Sequence, residues 1–324
     1  MNETPEIDVL LEEIGIGAVE SIQERRGHVG STCRIHDVHA GGRRLVAKIT
    51  SDPAFHERAT REFLVLQALA SRLDGLIPRF VAGTMDEKKS RTIVLMDRVD
   101  GKSGDSIVGS TPEMTKTILD RMSRSWRIGH DDVDLDGLDL PNWGRGTDGP
   151  RPHRRRAARF VRRGHAMLER FPESTPLHAP LLSRIADRFE AIAEVPGAGP
   201  PRLIHGDLHL DNVVFTTDGP RVLDWQTASI GDPVDDVVRL AMESHPDLTV
   251  DALVGLCDLH PESRSTPEHL ARRTVLAYAG LVSGLAGRPD LDPASREHRL
   301  ARRLLAPGHA VSLVTTALDL LEER

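Results

Sequence analysis

The sequence predicts an α+β fold in two parts, a small antiparallel sheet with one helix and then a larger, mainly helical part. Three observations predict it. Short apolar runs at Arg44–Thr50 and Arg91–Met96 read as strands, and the Ala40-Gly41-Gly42 turn leads into the first of them as a hairpin turn would. Between them, residues 54–73 read as a helix, because Glu62, Leu66, Leu69 and Leu73 fall on one face with Phe63 and Ala70 beside them. Beyond Gly101 the texture changes: segments 112–128, 153–170, 178–193, 233–243, 266–286 and 293–322 look helical, separated by Pro- and Gly-rich pieces such as Pro196–Pro201. Only Arg202–Asp224 returns to strand-like patterning. Val99-Asp100-Gly101 offers a linker, so the expected division is residues 1–98 and 99–324.

Composition narrows the function classes. A chain of 324 residues is long enough for roughly two cores. The net charge of −7 gives no global attraction to nucleic acid or anionic lipid. The seven arginines between Arg151 and Arg163 have only Phe160 among them, and read as a solvated helix face. Cys33 and Cys257 can form no disulfide framework and have no metal-ligand spacing. The acidic start lacks the order of a signal peptide, and no apolar run nears the roughly 18–20 residues that span a bilayer. A cytoplasmic protein, monomer or homodimer, with no nucleic-acid or membrane partner is expected.

The chemistry is concentrated in Leu203–Phe215 and Leu223-Asp224-Trp225. Phosphoryl transfer needs charge neutralised on the phosphates, the phosphates held still, and the acceptor oxygen in line. Asp207, just past a short strand, is placed to orient or deprotonate a hydroxyl. Asn212 and Asp224 are oxygen donors suited to Mg²⁺ bridging phosphates, and Asp224 also ends a strand. His205 reads as a buried residue bonding the loop backbone, whereas His209 is either structural or a substrate-pocket residue. Lys48 lies within a strand, and Glu62 sits on the apolar face of the next helix, where an unpaired carboxylate would be costly. A buried Lys48–Glu62 pair satisfies both residues and sets the ammonium over the α/β-phosphates. Gly30, Ser31 and Thr32 are the candidate phosphate loop. Gly101-Lys102-Ser103 ends like a phosphate-binding loop but lacks its first glycine, and reads as linker. Asp232 and Pro233 open a helix and Asp235 complements its dipole, while Asp236 is expected to brace the catalytic loop.

With these residues in place, the chain resembles the aminoglycoside phosphotransferase and choline kinase superfamily, relatives of the protein kinases. His205-Gly206-Asp207-Leu208-His209-Leu210-Asp211-Asn212, Leu223-Asp224-Trp225 and Gly231-Asp232-Pro233 carry the likeness, with Lys48, Glu62 and the hinge-like Leu95–Arg98 behind them. The resemblance implies a bilobal protein-kinase-like fold, ATP and Mg²⁺ as cofactors, Asp207, Lys48 and Glu62 as catalytic residues, and adenine read by the backbone near Asp97 and Val99. It implies phosphorylation of a hydroxyl on a small-molecule acceptor, an antibiotic of aminoglycoside or nucleoside type or a metabolic alcohol. Two departures stand out: Gln226 follows Trp225 where the family often has Glu, and Trp126–His130 replaces a common Leu-His pair. A metal-dependent hydrolase using His205, Asp207, His209 and Asp211, or a silent nucleotide-binding protein, are the rival expectations.

Overall fold

A computed structural model describes residues 4–25, 33–104, 112–129, 151–193, 199–244, 249–286, 298, 301, 304–305 and 310–323. Their contacts fall into two compact units, one from the described residues up to 104 together with 205–228, the other from the remainder.

The first unit is built on strands β1 (Val19–Glu24), β2 (Arg34–Ala40), β3 (Arg43–Thr50), β4 (Phe80–Asp86) and β5 (Arg91–Asp97). They form one antiparallel sheet in the order β1-β2-β3-β5-β4. Gly41 and Gly42 join β2 to β3 with φ of 55° and 71°, the positive pair that a two-residue hairpin matching strand twist requires. Alternation along β3 then fixes the site: Leu45, Ala47 and Ile49 join Val38, Ala40, Ile93 and Leu95 in a core on one face, and Lys48 points to the other. Helix α1 (Thr4–Glu13) seals that core with Ile7, Leu10 and Leu11. It is not among the expected elements. Helix α2 (His56–Leu69) packs on β4 and β5, with Phe63 edge-on to Phe80 at 5.6 Å between ring centroids. It lies so close that a Cβ at Gly83 would come 2.5 Å from the Phe63 ring.

Strands β6 (Lys102–Ser103), β7 (Arg202–Ile204), β8 (Val213–Thr216), β9 (Gly219–Val222) and β10 (Ser229–Gly231) follow in the chain. β6, β8 and β9 make a second sheet in the first unit. Lys102 and Ser103 are therefore not linker but a strand paired with Phe215 and Val214. The flanking glycines are required there, because a Cβ at Gly101 would run into the Phe215 carbonyl and one at Gly104 would lie 2.6 Å from that of Leu210.

The second unit joins β7 and β10 to helices α3 (Pro112–Trp126), α4 (Arg151–Arg170), α5 (Thr175–Ala193), α6 (Pro233–Ser244), α7 (Val250–Asp258), α8 (Pro267–Ala286) and α9 (Ala310–Glu322). α8 is its central helix, packed by α4, α5, α6, α7 and α9 through Leu270, Val275, Leu281 and Val282. Of the helix expected over 293–322, the described part is α9 with helical residues at 298, 301 and 304–305. Asp232 caps α6 by accepting from the Val234 amide at 3.0 Å, and its other oxygen meets His269 Nε2 at 2.6 Å. Asp235 does more than complement the helix dipole: its carboxylate is gripped by the Arg273 guanidinium, Nε at 2.6 Å. Asp236 accepts from the buried indole of Trp126 at 3.2 Å, which ties the first turn of α6 to the end of α3. Buried His178 lies 2.7 Å from the Tyr278 hydroxyl and 3.1 Å from the Leu305 carbonyl. Among the described residues no helix is long and apolar enough to cross a membrane.

Candidate active site

Every described candidate residue lies in the first unit. Lys48 Nζ reaches both Glu62 oxygens, at 2.8 and 2.6 Å, and Asp224 Oδ1 at 2.7 Å. The Lys48–Glu62 pair expected from the helix pattern is present, and the lysine is shared with the downstream aspartate. Burial opposes the ammonium, but the carboxylates of Asp224 and Glu62 outweigh it and raise the Lys48 pKa. Glu62, with 3% of its side chain exposed, is pushed up because burial outweighs the single lysine it shares. Burial also pushes Asp224 up, but Lys48 at contact overcomes this and its pKa falls; 42% of its side chain remains exposed.

The loop that presents Asp207 is held by its own backbone. β7 ends at Ile204, and Gly206 turns the chain with φ of 78°. A Cβ at Gly206 would stand 2.5 Å from the Thr227 carbonyl, so glycine is required by both conformation and space. Thr227 returns a bond, its hydroxyl donating to the His205 carbonyl at 2.9 Å. Fully buried His205 lies edge-on to Trp225 and donates from Nε2 to the Leu223 carbonyl at 2.8 Å. Its Nδ1 accepts from the Asp207 amide at 3.3 Å, so one tautomer serves both bonds. With both ring nitrogens committed, His205 is no metal ligand. Among the described residues no group of three or more His, Cys, Asp or Glu is placed to hold a metal, so the hydrolase reading gains no support from the 205–211 alternation.

Asn212 donates from Nδ2 to the Asp207 carbonyl at 3.1 Å, which orients the amide so that its oxygen, not its nitrogen, is offered to a ligand. The Leu223 amide donates to the Asn212 carbonyl at 2.7 Å, tying this loop to the strand that delivers Asp224. Asp224 itself has φ of 63° and ψ of 61°, a left-handed conformation costing a non-glycine residue about 1 kcal/mol. The turn after it is pinned by Trp225, fully buried with Nε1 on the Val222 carbonyl at 3.1 Å. His209 is buried beside Asp207, Nε2 3.5 Å from Oδ2. Three residues along β5 from Val94, which pairs with Lys48, the Asp97 carboxylate is taken by Arg43 at 2.6 Å and its amide by the Arg79 carbonyl at 2.9 Å. Val99 is half-buried two residues on. Gly30, Ser31 and Thr32 lie outside the described residues.

Sequence reasoning missed the contacts of Gln226, whose side-chain amide donates to Glu62 Oε2 at 3.4 Å. Its carbonyl accepts from Arg61 Nη1 at 3.1 Å. The residue type was visible, but nothing local marks which residue of α2 it meets.

A sequence profile of the phosphotransferase enzyme family (APH) matches residues 25–266. A comparison with curated proteins found no match. Among solved structures, a spectinomycin phosphotransferase in complex with ADP and spectinomycin superimposes with a TM-score of 0.67 at 12% identity, covering 97% of this chain and 98% of that one. A GDP and kanamycin complex of an aminoglycoside phosphotransferase gives 0.61 at 16% identity over 99% and 98%. A third, a ternary complex with ADP and hygromycin B, gives 0.56 at 17% over 95% and 96%. At these identities the likeness is one of fold.

Proposed function

The chain belongs to the phosphotransferase enzyme family and is a small-molecule kinase, and we propose that it moves the γ-phosphoryl group of ATP to a hydroxyl of a small acceptor. The observation that carries this reading is the single cluster joining Lys48, Glu62 and Asp224 within 2.8 Å, with Asp207 and Asn212 on the loop bonded to the same turn.

In this reading Asp207 accepts a hydrogen bond from the acceptor hydroxyl and takes its proton as the oxygen bonds to the γ-phosphorus. The bond from that phosphorus to the bridging oxygen of ADP breaks, so the products are ADP and a phosphate monoester. His209 beside Asp207 keeps the carboxylate aimed at the substrate. Lys48, steadied by Glu62, pairs with the α/β-phosphates, which requires it to give up part of its hold on Asp224. Asn212 Oδ1 and the Asp224 carboxylate fit Mg²⁺, a hard cation that takes one or two protein oxygens and completes its shell with phosphate and water. When bound, it neutralises charge on the β- and γ-phosphates. The Asp97 and Val99 backbones read the adenine, and Gly30, Ser31 and Thr32 cover the phosphates. The chain divides at residues 98 and 99 into a nucleotide-binding part and a part that carries the catalytic and metal-binding loop and the acceptor site.

Support for an antibiotic acceptor, and for a role in antibiotic resistance, comes from the spectinomycin, kanamycin and hygromycin B named for the structural neighbours. Gln226 favours a metabolic alcohol as the second reading, because the Asp-x-Gln order resembles subgroups acting on choline- or ecdysteroid-like alcohols. A screen of acceptor-dependent ADP release over aminoglycosides, nucleoside antibiotics, choline-like alcohols and sugars tests the proposal. ADP release that tracks one acceptor class is expected; ATP turnover indifferent to every acceptor would overturn it.

A further inference from the structure

The turn that carries Asp224 also reaches back to α2, and it does so through one residue. Gln226 Nε2 lies 3.4 Å from Glu62 Oε2, the same oxygen that meets Lys48 at 2.6 Å. A carboxylate can only accept, so the amide must present its nitrogen here. The Gln226 backbone is held independently, its carbonyl on Arg61 Nη1, one residue before Glu62 on α2. Arg61 is itself steadied by Glu57 at 2.7 Å. Gln226 is thus fixed at both ends to consecutive residues of one helix.

We infer that Gln226 is a positioning residue for the nucleotide: by donating to Glu62 it orients the carboxylate that in turn orients the Lys48 ammonium. The inference rests on Lys48 being the phosphate-binding lysine. Glu62 has two oxygens and one lysine to share them with, in a site where little of its side chain reaches water. A second donor on Oε2 keeps the carboxylate from rotating toward Lys48 alone, and leaves the ammonium a proton direction for Asp224 or a phosphate. A glutamate at 226 would reverse the contact. It would set a second carboxylate against Glu62 with no donor between them, and the two would compete for the same lysine.

The test is ADP affinity by calorimetry, well below the melting temperature, for wild type, Gln226→Glu, Gln226→Met, Lys48→Ala and the exchange Glu62→Gln with Gln226→Glu. Gln226→Glu should bind ADP roughly 10-fold more weakly, the scale of a hydrogen bond to a charged group. Gln226→Met, of similar length and uncharged, should lose about 3-fold. The exchange variant restores one amide and one carboxylate to the contact and should recover part of the loss, a coupling that general destabilisation does not produce. Should Gln226→Glu fail to fold, Gln226→Met and the exchange variant decide the question. Affinities for Gln226→Glu and Gln226→Met within 2-fold of wild type, while Lys48→Ala binds weakly, would overturn the inference alone. Wild-type ADP affinity in Lys48→Ala would instead overturn the reading beneath it.

Discussion

Replacing Lys48 by Met removes the cation that two carboxylates share. Glu62, 3% exposed, loses contacts of 2.8 and 2.6 Å and must either stay ionised in a buried site or take up a proton. Burial already raises its pKa with the lysine present, and removing the lysine takes away the main influence that lowers it, so proton uptake is the route by which the variant relieves the buried charge. The cost then has a ceiling. Holding a proton at pH 7 on a carboxyl whose ordinary value is 4.5 costs about 3.4 kcal/mol, at about 1.4 kcal/mol for each pH unit. At pH 5.5 the ceiling falls to about 1.4 kcal/mol. Asp224, with 42% of its side chain exposed, adds little because water replaces the lysine. The sign follows: the folded-state pKa of Glu62 lies above the unfolded value, so its contribution is most favourable at low pH and is lost as pH rises. Denaturant unfolding of wild type and variant should give a loss of about 2–3 kcal/mol at pH 7 and about 1 kcal/mol at pH 5.5. A loss that stays constant or grows on acidification would refute the reasoning, because it would mean that Glu62 does not depend on Lys48 for its charge.

Other consequences are equally direct. Gly206→Ala must shift either the Asp207 loop or the Thr227 turn to relieve a 2.5 Å contact, and also pays about 1–2 kcal/mol for a left-handed alanine. A drop of roughly 100-fold in turnover with ADP binding retained is expected, since small displacements of a catalytic group are costly; near-normal turnover would contradict this geometry. In the second unit, burial lowers the pKa of His178, opposed only in part by the Leu305 carbonyl, and burial lowers that of His260 as well. As pH falls through 6.5 the unfolded chain takes up protons that these side chains resist, so stability is lost from there down to their folded pKa values. His178→Asn should flatten the fall in melting temperature across that window, and an unchanged slope would show that the site admits the charged form.

The Lys48–Glu62 pair could be read from sequence because two independent oddities, a lysine within a strand and a glutamate on an apolar helix face, solve each other. The bonding of His205 to loop backbone was legible for a similar reason: a glycine beside it excluded a helical metal pair. The N-terminal helix was not anticipated, although Pro5 in its first turn and Ile7, Leu10 and Leu11 at i, i+3 and i+4 are a usable signal. β4 was also missed, since its glycine lowers strand propensity and is explained by the Phe63 ring and the Ile93 carbonyl that crowd its Cβ position. The left-handed Asp224 and the Gln226–Glu62 contact were beyond reach from sequence: both depend on where the turn after β9 lies against α2, and no local pattern encodes that distance.

In the proposed reaction Asp207 serves the acceptor and not the nucleotide. The direct measurement compares wild type with Asp207→Ala in ATP, Mg²⁺ and an acceptor that supports ADP release, following phosphorus resonances of the product alongside ADP affinity by calorimetry. A new phosphate monoester is expected from wild type, with turnover lowered by at least about 100-fold in the variant and ADP affinity within about 3-fold. Wild-type turnover in Asp207→Ala, or phosphate released only in inorganic form by the wild type, would contradict it.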